Sequence, residues 1–271
     1  MKLLILSSLL LFFVSCASTT DTGEVGVKRL QLTEGVSSEE VTKLSEQSYE
    51  QVKKEAQAKG QLDKNAAQLQ RVQVISKRLI AQTAVFRKDA TAWKWEVHVI
   101  TSDEINAWCM PGGKIAFYTG ILEKLNLSDA EIAAVMGHEI SHALREHGRE
   151  RMAQDALKQK ILAGGAALLE AQNIKNGNYY VAAAGLGATF FGLKYGRIQE
   201  TEADDMGIEL MARAGYNPEE AVNLWKKMAA QSGGGKMPEI LSTHPADATR
   251  IANIQSLLPR VIPLYQKTLS R

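Results

Sequence analysis

Apolar residues recur at helical spacing along most of this chain and alternate at strand spacing over only short stretches. Residues 38–86 read as helical, with Gly60 as the one clear break. Val41, Leu44, Tyr49, Val52 and Ala56 approximate one stripe there, and Leu69, Val72, Ile75, Leu79 and Ile80 make another. That pattern predicts two amphipathic helices packed on a larger body. Residues 93–100 (WKWEVHVI) alternate and are rich in β-formers, predicting a strand with His98 half-exposed on the face opposite Val97 and Val99. A loop is expected over 106–112, a turn at Pro111-Gly112-Gly113, and a second strand over 114–118.

Ser128-Asp129-Ala130-Glu131 has the form of a capping box, opening a helix that should run through His138 and His142 to about His147. Residues 161–193 are apolar and small, interrupted by Asn173-Ile174-Lys175-Asn176-Gly177-Asn178. Each apolar piece is shorter than the roughly 20 residues a bilayer-spanning helix needs. The stretch reads equally as a helical hairpin over a site or membrane surface and as plain core helices. A further helix over 197–214 should stop at Gly215, Asn217-Pro218 opens the next, and Gly233-Gly234-Gly235 is a linker. A last helix follows Thr243-His244-Pro245 and is expected to end near Pro259. Short strands among many helices give an α+β class, mostly helical, with a small sheet.

The first residues break this picture. Met1-Lys2 precedes an apolar run from Leu3 to Val14, the anatomy of a signal peptide over 1–15. Phe13-Val14-Ser15-Cys16 resembles a bacterial lipobox, which would make Cys16 the lipidated first residue of an exported protein, with 16–37 a flexible tether rich in Ser, Thr and Gly. Ala17 after the cysteine favours the outer membrane by analogy with other lipoproteins. The domain that remains, 38–271, carries 38–87 as a helical extension. Lysines and arginines total 32 against 30 acidic residues, a near-balance that gives no electrostatic reason to expect nucleic acid. The other cysteine, Cys109, has no supporting histidine nearby in sequence and reads as a small buried hydrophobe.

The chemistry concentrates in His138-Glu139-Ile140-Ser141-His142. Histidines at i and i+4 project from one helix face and can share a metal, while Glu139 reaches the metal's open side. The preceding Ile132 to Met136 is apolar, so the histidines sit on a buried helix. A third histidine six residues after His142 is missing, Gly148 standing there instead, and a downstream carboxylate is therefore required. Glu200-Thr201-Glu202-Ala203-Asp204 supplies candidates: Glu200 and Asp204 share a helical face, so one can ligate while the other orients a ligand histidine. Glu202 points elsewhere and reads as a surface or salt-bridge residue, and His147 as structural. Two histidines and a carboxylate with a fourth position open are the ligand set of a hydrolytic zinc site, with Glu139 as base.

Taken with residues 106–114 (NAWCMPGGK), 197–204 (RIQETEAD), Ser242-Thr243-His244-Pro245 and Arg250, these motifs closely resemble the metallopeptidase family of the CAAX prenyl proteases and HtpX-like heat-shock proteases, most of all its periplasmic lipoprotein branch. The resemblance covers about residues 93–259, and Gly196 stands where the family often has Ser. It implies a gluzincin-type fold, one Zn²⁺ held by His138, His142 and Glu200, and Glu139 as general base. It implies Asp204 as a residue behind the ligands, sometimes a proton donor. It also implies His244 as a group that either occupies the water position or stabilises the oxyanion, and Arg250 as a transition-state or structural cation. Asn106, Ala107, Pro111, Gly112 and Gly113 would present a strand edge to an extended peptide substrate, making cleavage largely independent of sequence. The expected function is a membrane-anchored endopeptidase facing the periplasm that degrades misfolded or misassembled envelope proteins. A chaperone-like outer-membrane assembly factor that seldom uses its zinc is the competing reading, and processing of one dedicated substrate a third.

Overall fold

A computed structural model describes residues 16–171, 195–231, 238–245 and 248–270. The predicted leader 1–15, most of the apolar stretch 161–193 and the glycine linker lie outside them. The described chain is mostly helical with a small sheet, as its pattern predicts. A two-stranded ribbon, β1 (Cys16–Ala17) and β2 (Gln31–Leu32), precedes helices α1 (Ser38–Ala58) and α2 (Ala66–Ile80). After two short 3₁₀ turns come β3 (Glu96–Ile100), β4 (Ala107–Met110) and β5 (Lys114–Tyr118). Then follow α3 (Thr119–Lys124), α4 (Asp129–Leu144), α5 (His147–Ala171), α6 (Arg197–Arg213), α7 (Glu220–Ala230), α8 (Glu239–Thr243) and α9 (Ala248–Leu269).

The three-stranded sheet has the order β3-β5-β4, with β3 and β5 parallel and β4 antiparallel. The expected loop at 106–112 is thus largely strand. β4 lies at the edge of the sheet, between Asn106 and a Pro111-Gly112-Gly113 turn in which both glycines take positive φ (82° and 85°). A three-residue reversal needs those left-handed angles, which L side chains adopt only with strain. Gly112 and Gly113 also pack so tightly on Thr42 and Trp95 that an added Cβ would clash.

Helices α2, α4, α6, α7 and α9 and the sheet share one core, including Val72, Ile75, Leu79, Ile115, Phe117, Ile132, Met136, Ile140, Met206 and Leu210. The α1 stripe is rotated slightly from expectation. Ser45 is buried, its hydroxyl donating to Val41 O, while Leu44 is exposed. α4 starts where its capping box predicts: Ser128 Oγ accepts from Glu131 N, and Glu131 Oε2 accepts from Ser128 N.

α4 does not continue to His147. It ends at Leu144, Glu146 adopts φ 52°, and α5 begins at His147. The Glu146 carboxylate receives Arg87 and Arg149, which anchor that reversal. The last helix runs through Pro259 and Pro263 to Leu269. Each proline removes one backbone bond, but burial of Ile254, Leu257 and Val261 keeps the helix in place. Residues 18–33, expected to be a flexible tether, are docked instead. Val25 and Val27 enter the core, and Gln31 Nε2 and Thr19 Oγ1 donate to Arg145 O at 2.7 and 2.9 Å. The reason is Arg145 itself. Fully buried at the end of α4, it donates to Ser18 Oγ, Thr20 Oγ1 and Arg29 O. Its guanidinium cannot be left unpaired away from water.

Candidate metal centre

α4 and α6 cross at two glycines, Gly137 and Gly207. A Cβ on Gly207 would lie 2.8 Å from His138 N, and one on Gly137 would lie 2.8 Å from Gly207 O. This backbone-to-backbone approach brings the HExxH face of α4 onto the Glu200–Asp204 face of α6. His138, His142, Glu200 and His244, all buried, each present one ligand atom, and the four atoms lie within 4.8 Å of one another.

The Nε2 atoms of His138 and His142 are 3.1 Å apart, and His244 Nδ1 is 3.2 Å from His138 Nε2. Glu200 closes the cluster, with Oε1 2.8 Å from His244 Nδ1 and 3.4 Å from His142 Nε2, and Oε2 3.5 Å from His138 Nε2. Behind His138, Asp204 Oδ1 is 2.9 Å from Nδ1 and also accepts from Arg250 Nη2, while Oδ2 accepts from Arg250 Nε. A carboxylate so held can only accept, so His138 carries its proton on Nδ1 and turns a bare Nε2 inward. Arg250 stacks 3.7 Å from the Trp225 ring and lies 2.8 Å from Glu200 Oε2. Asp204 and Arg250 thus fix the orientation of His138 and Glu200. Burial pushes the Asp204 carboxyl up, but Arg250 and His138 outweigh that and hold it below its ordinary value.

Burial pushes the Glu139 carboxyl above its ordinary value. Its Oε1 is buried without a hydrogen-bond partner, 3.6 Å from His244 Nε2. Burial opposes the Glu200 charge too, but His244, His142 and His138 outweigh it and keep that carboxyl well below the usual range. Burial lowers His142. His244 shows the reverse balance, raised by Glu200 and Glu139 against its burial.

Imidazole nitrogens converging in a buried pocket, beside a carboxylate and an orphaned Glu139 oxygen, fit one cation. Nitrogen and carboxylate donors of this number suit zinc.

The centre opens into a cleft of ≈260 Å³ whose lining includes Asn106 to Pro111, Tyr118, Glu139, Tyr195 and His244. Asn106, Ala107 and Pro111 thus line this cleft, and Gly112 and Gly113 are not among its lining residues. Their conformation serves the turn, and they face Thr42 and Trp95.

Two residues escaped the sequence reading, and two that it read as structural or salt-bridging, His147 and Glu202, also meet the site. Tyr195 stacks on His142 with ring centroids 4.0 Å apart, and Trp225 meets His138 edge-on. His147 Nδ1 lies 2.9 Å from His142 Nδ1, and His147 Nε2 lies 3.0 Å from Glu202 Oε2. Glu202 is buried in ion pairs with Arg29 and Arg145, and its carboxyl is held down at about 2 by His147 and those arginines against the opposing effect of burial. Glu202 is thus a salt-bridge residue, as its sequence reading allowed, but a buried one.

The pattern of peptidase family M48 matches residues 66–258, well over half of the chain. The chain belongs to peptidase family M48. It is 34% identical over 186 residues to the mitochondrial metalloendopeptidase OMA1 of Schizosaccharomyces pombe, covering 68% of this chain and 51% of that protein. OMA1 of Saccharomyces cerevisiae is 32% identical over 182 residues, covering 65% and 50%. The β-barrel assembly-enhancing protease of Yersinia pestis is 29% identical over 203 residues, covering 72% and 40%. The chain thus spans about half the length of the first two and less of the third.

Proposed function

We propose that the chain is a zinc endopeptidase hydrolysing peptide bonds of misfolded or misassembled cell-envelope proteins. The observation that carries the proposal is the convergence of His138, His142, Glu200 and His244 beside Glu139, whose buried Oε1 has no hydrogen-bond partner, at the mouth of a cleft along strand β4. A bound zinc would supply Lewis acidity and a lowered water pKa.

The chain's own residues do the rest. His138, His142 and Glu200 would hold the ion. Glu139 Oε1 takes a proton from the attacking water and passes it to the leaving amine. Asp204 and Arg250 keep His138 and Glu200 aimed. β4, at the sheet's edge, pairs with an extended peptide through backbone groups, with Asn106, Ala107 and Pro111 along the run. Such pairing reads conformation more than sequence, which suits clearance of unfolded chains. His244 stands 2.8 Å from Glu200 and 3.6 Å from Glu139, a position from which it either occupies the water site or stabilises the oxyanion.

The envelope location rests on the lipobox-like residues ahead of Cys16 and on likeness to proteases named for β-barrel assembly. The proposed anchor is a lipid on Cys16 in the outer membrane. Among the described residues no helix is long and apolar enough to cross a membrane.

Glu139→Gln tests the reading. Cleavage of casein should fall at least about a hundredfold, a typical general-base contribution, while zinc content stays at one per chain. Undiminished cleavage would refute the assignment. Envelope function surviving the loss of cleavage would instead favour an assembly factor.

A further inference from the structure

We infer that His147, oriented by Glu202, is the positioning residue that decides which nitrogen of His142 is bare. The argument is a count of protons. Glu202 takes Arg29 Nε on Oε1 at 3.0 Å, Arg29 Nη2 on Oε2 at 2.9 Å and Arg145 Nη2 on Oε1 at 3.1 Å. Between two guanidiniums it stays a carboxylate, and a carboxylate only accepts. The His147 Nε2 against Glu202 Oε2 therefore carries the proton.

Arg29 also pairs with Glu150, so the array already holds two cations against two anions. A charged imidazolium at fully buried His147 would add an uncompensated charge. His147 is accordingly neutral, with a bare Nδ1. That atom faces His142 Nδ1 at 2.9 Å, so the proton between them sits on His142. What remains is a bare Nε2 on His142, opposite the bare Nε2 that Asp204 enforces on His138.

Two independent arrays thus aim two lone pairs at one point. The array behind His142 reaches, through Arg29, the docked segment that follows Cys16. Packing alone would not require this donor–acceptor order: an apolar side chain of similar size would fill the same space.

The inference rests on His142 being a ligand, and the tests separate the two. If His142→Ala keeps full zinc affinity, the ligand reading fails. In zinc-loaded wild-type protein, long-range ¹H–¹⁵N spectra should show His147 as the neutral Nε2–H tautomer. A proton on Nδ1, alone or with Nε2–H, overturns the inference while leaving the ligand reading intact.

Competition against a chromophoric chelator gives a second measure. The amide of His147→Gln can accept from His142 and donate to Glu202, so its zinc affinity should stay within about threefold, whereas His147→Leu should lose roughly 10–100-fold. Equal affinities in the two variants, or a loss of about tenfold or more in His147→Gln, overturn it. The spectra and the glutamine variant decide the matter even if His147→Leu does not fold.

Discussion

Replacing Gly207 with alanine adds one methyl group where α4 and α6 touch. The new Cβ would lie 2.8 Å from His138 N, 2.9 Å from Gly137 C and 3.1 Å from His138 Cα, all backbone atoms of the metal-binding helix. Carbon contacts settle near 3.5 Å, so the helices must separate by about 0.7 Å at this point. Overpacking of this kind costs roughly 1–3 kcal/mol, and replacing a helical glycine by alanine returns about 1 kcal/mol. A net loss of about 0–2 kcal/mol is expected in urea unfolding of the metal-free protein.

The larger effect falls on the metal. Ligand distances in such sites hold to about 0.2 Å, so a widening of about 0.7 Å between the helix bearing His138 and the one bearing Glu200 should weaken zinc by tenfold or more. Chelator competition measures it, and Gly137→Ala should act in the same direction because its Cβ would meet Gly207 O at 2.8 Å. If Gly207→Ala equals the wild type in unfolding midpoint and zinc affinity, the close crossing does not hold the site together.

Two further outcomes follow from charge and capping. Burial raises the Asp205 carboxyl from 3.8 to about 6, with Asp204 and Glu202 adding to the rise and Asn253 and Arg260 opposing it. The folded state then binds a proton more readily than the unfolded one, so ionised Asp205 costs stability above pH 6, and the cost fades between pH 6 and 4. Asp205→Asn, whose amide oxygen can still accept from Asn253, should stabilise by about 1–3 kcal/mol at pH 7.5 and by almost nothing at pH 4. Equal unfolding curves for the two proteins at pH 7.5 would contradict this. Ser128→Ala removes the cap of α4 and should cost about 1 kcal/mol with zinc affinity unchanged; a stability loss under about 0.3 kcal/mol would show that the cap contributes little.

What the sequence determined alone was everything set by spacing along a single helix. The capping box fixed where α4 begins, and the i, i+4 rule put His138 and His142 on one face and Glu200 and Asp204 on another. These are short-range consequences of 3.6 residues per turn, so no partner needs to be known. β4 was missed because four residues ahead of a Pro-Gly-Gly turn carry little signal until β5 supplies their hydrogen bonds. Residues 18–33 read as a tether because their Ser, Thr and Gly content looks solvated. Only the fold brings the buried Arg145 within reach of Ser18 and Thr20, more than a hundred residues away in sequence.

The same holds for Gly137 and Gly207, ordinary helical glycines until two helices cross on them, and for His147, whose place depends on the left-handed turn at Glu146. Local spacing selects which side chains face together. Contacts between segments distant in sequence exist only after packing, and packing decides how near those faces come and which proton each imidazole keeps.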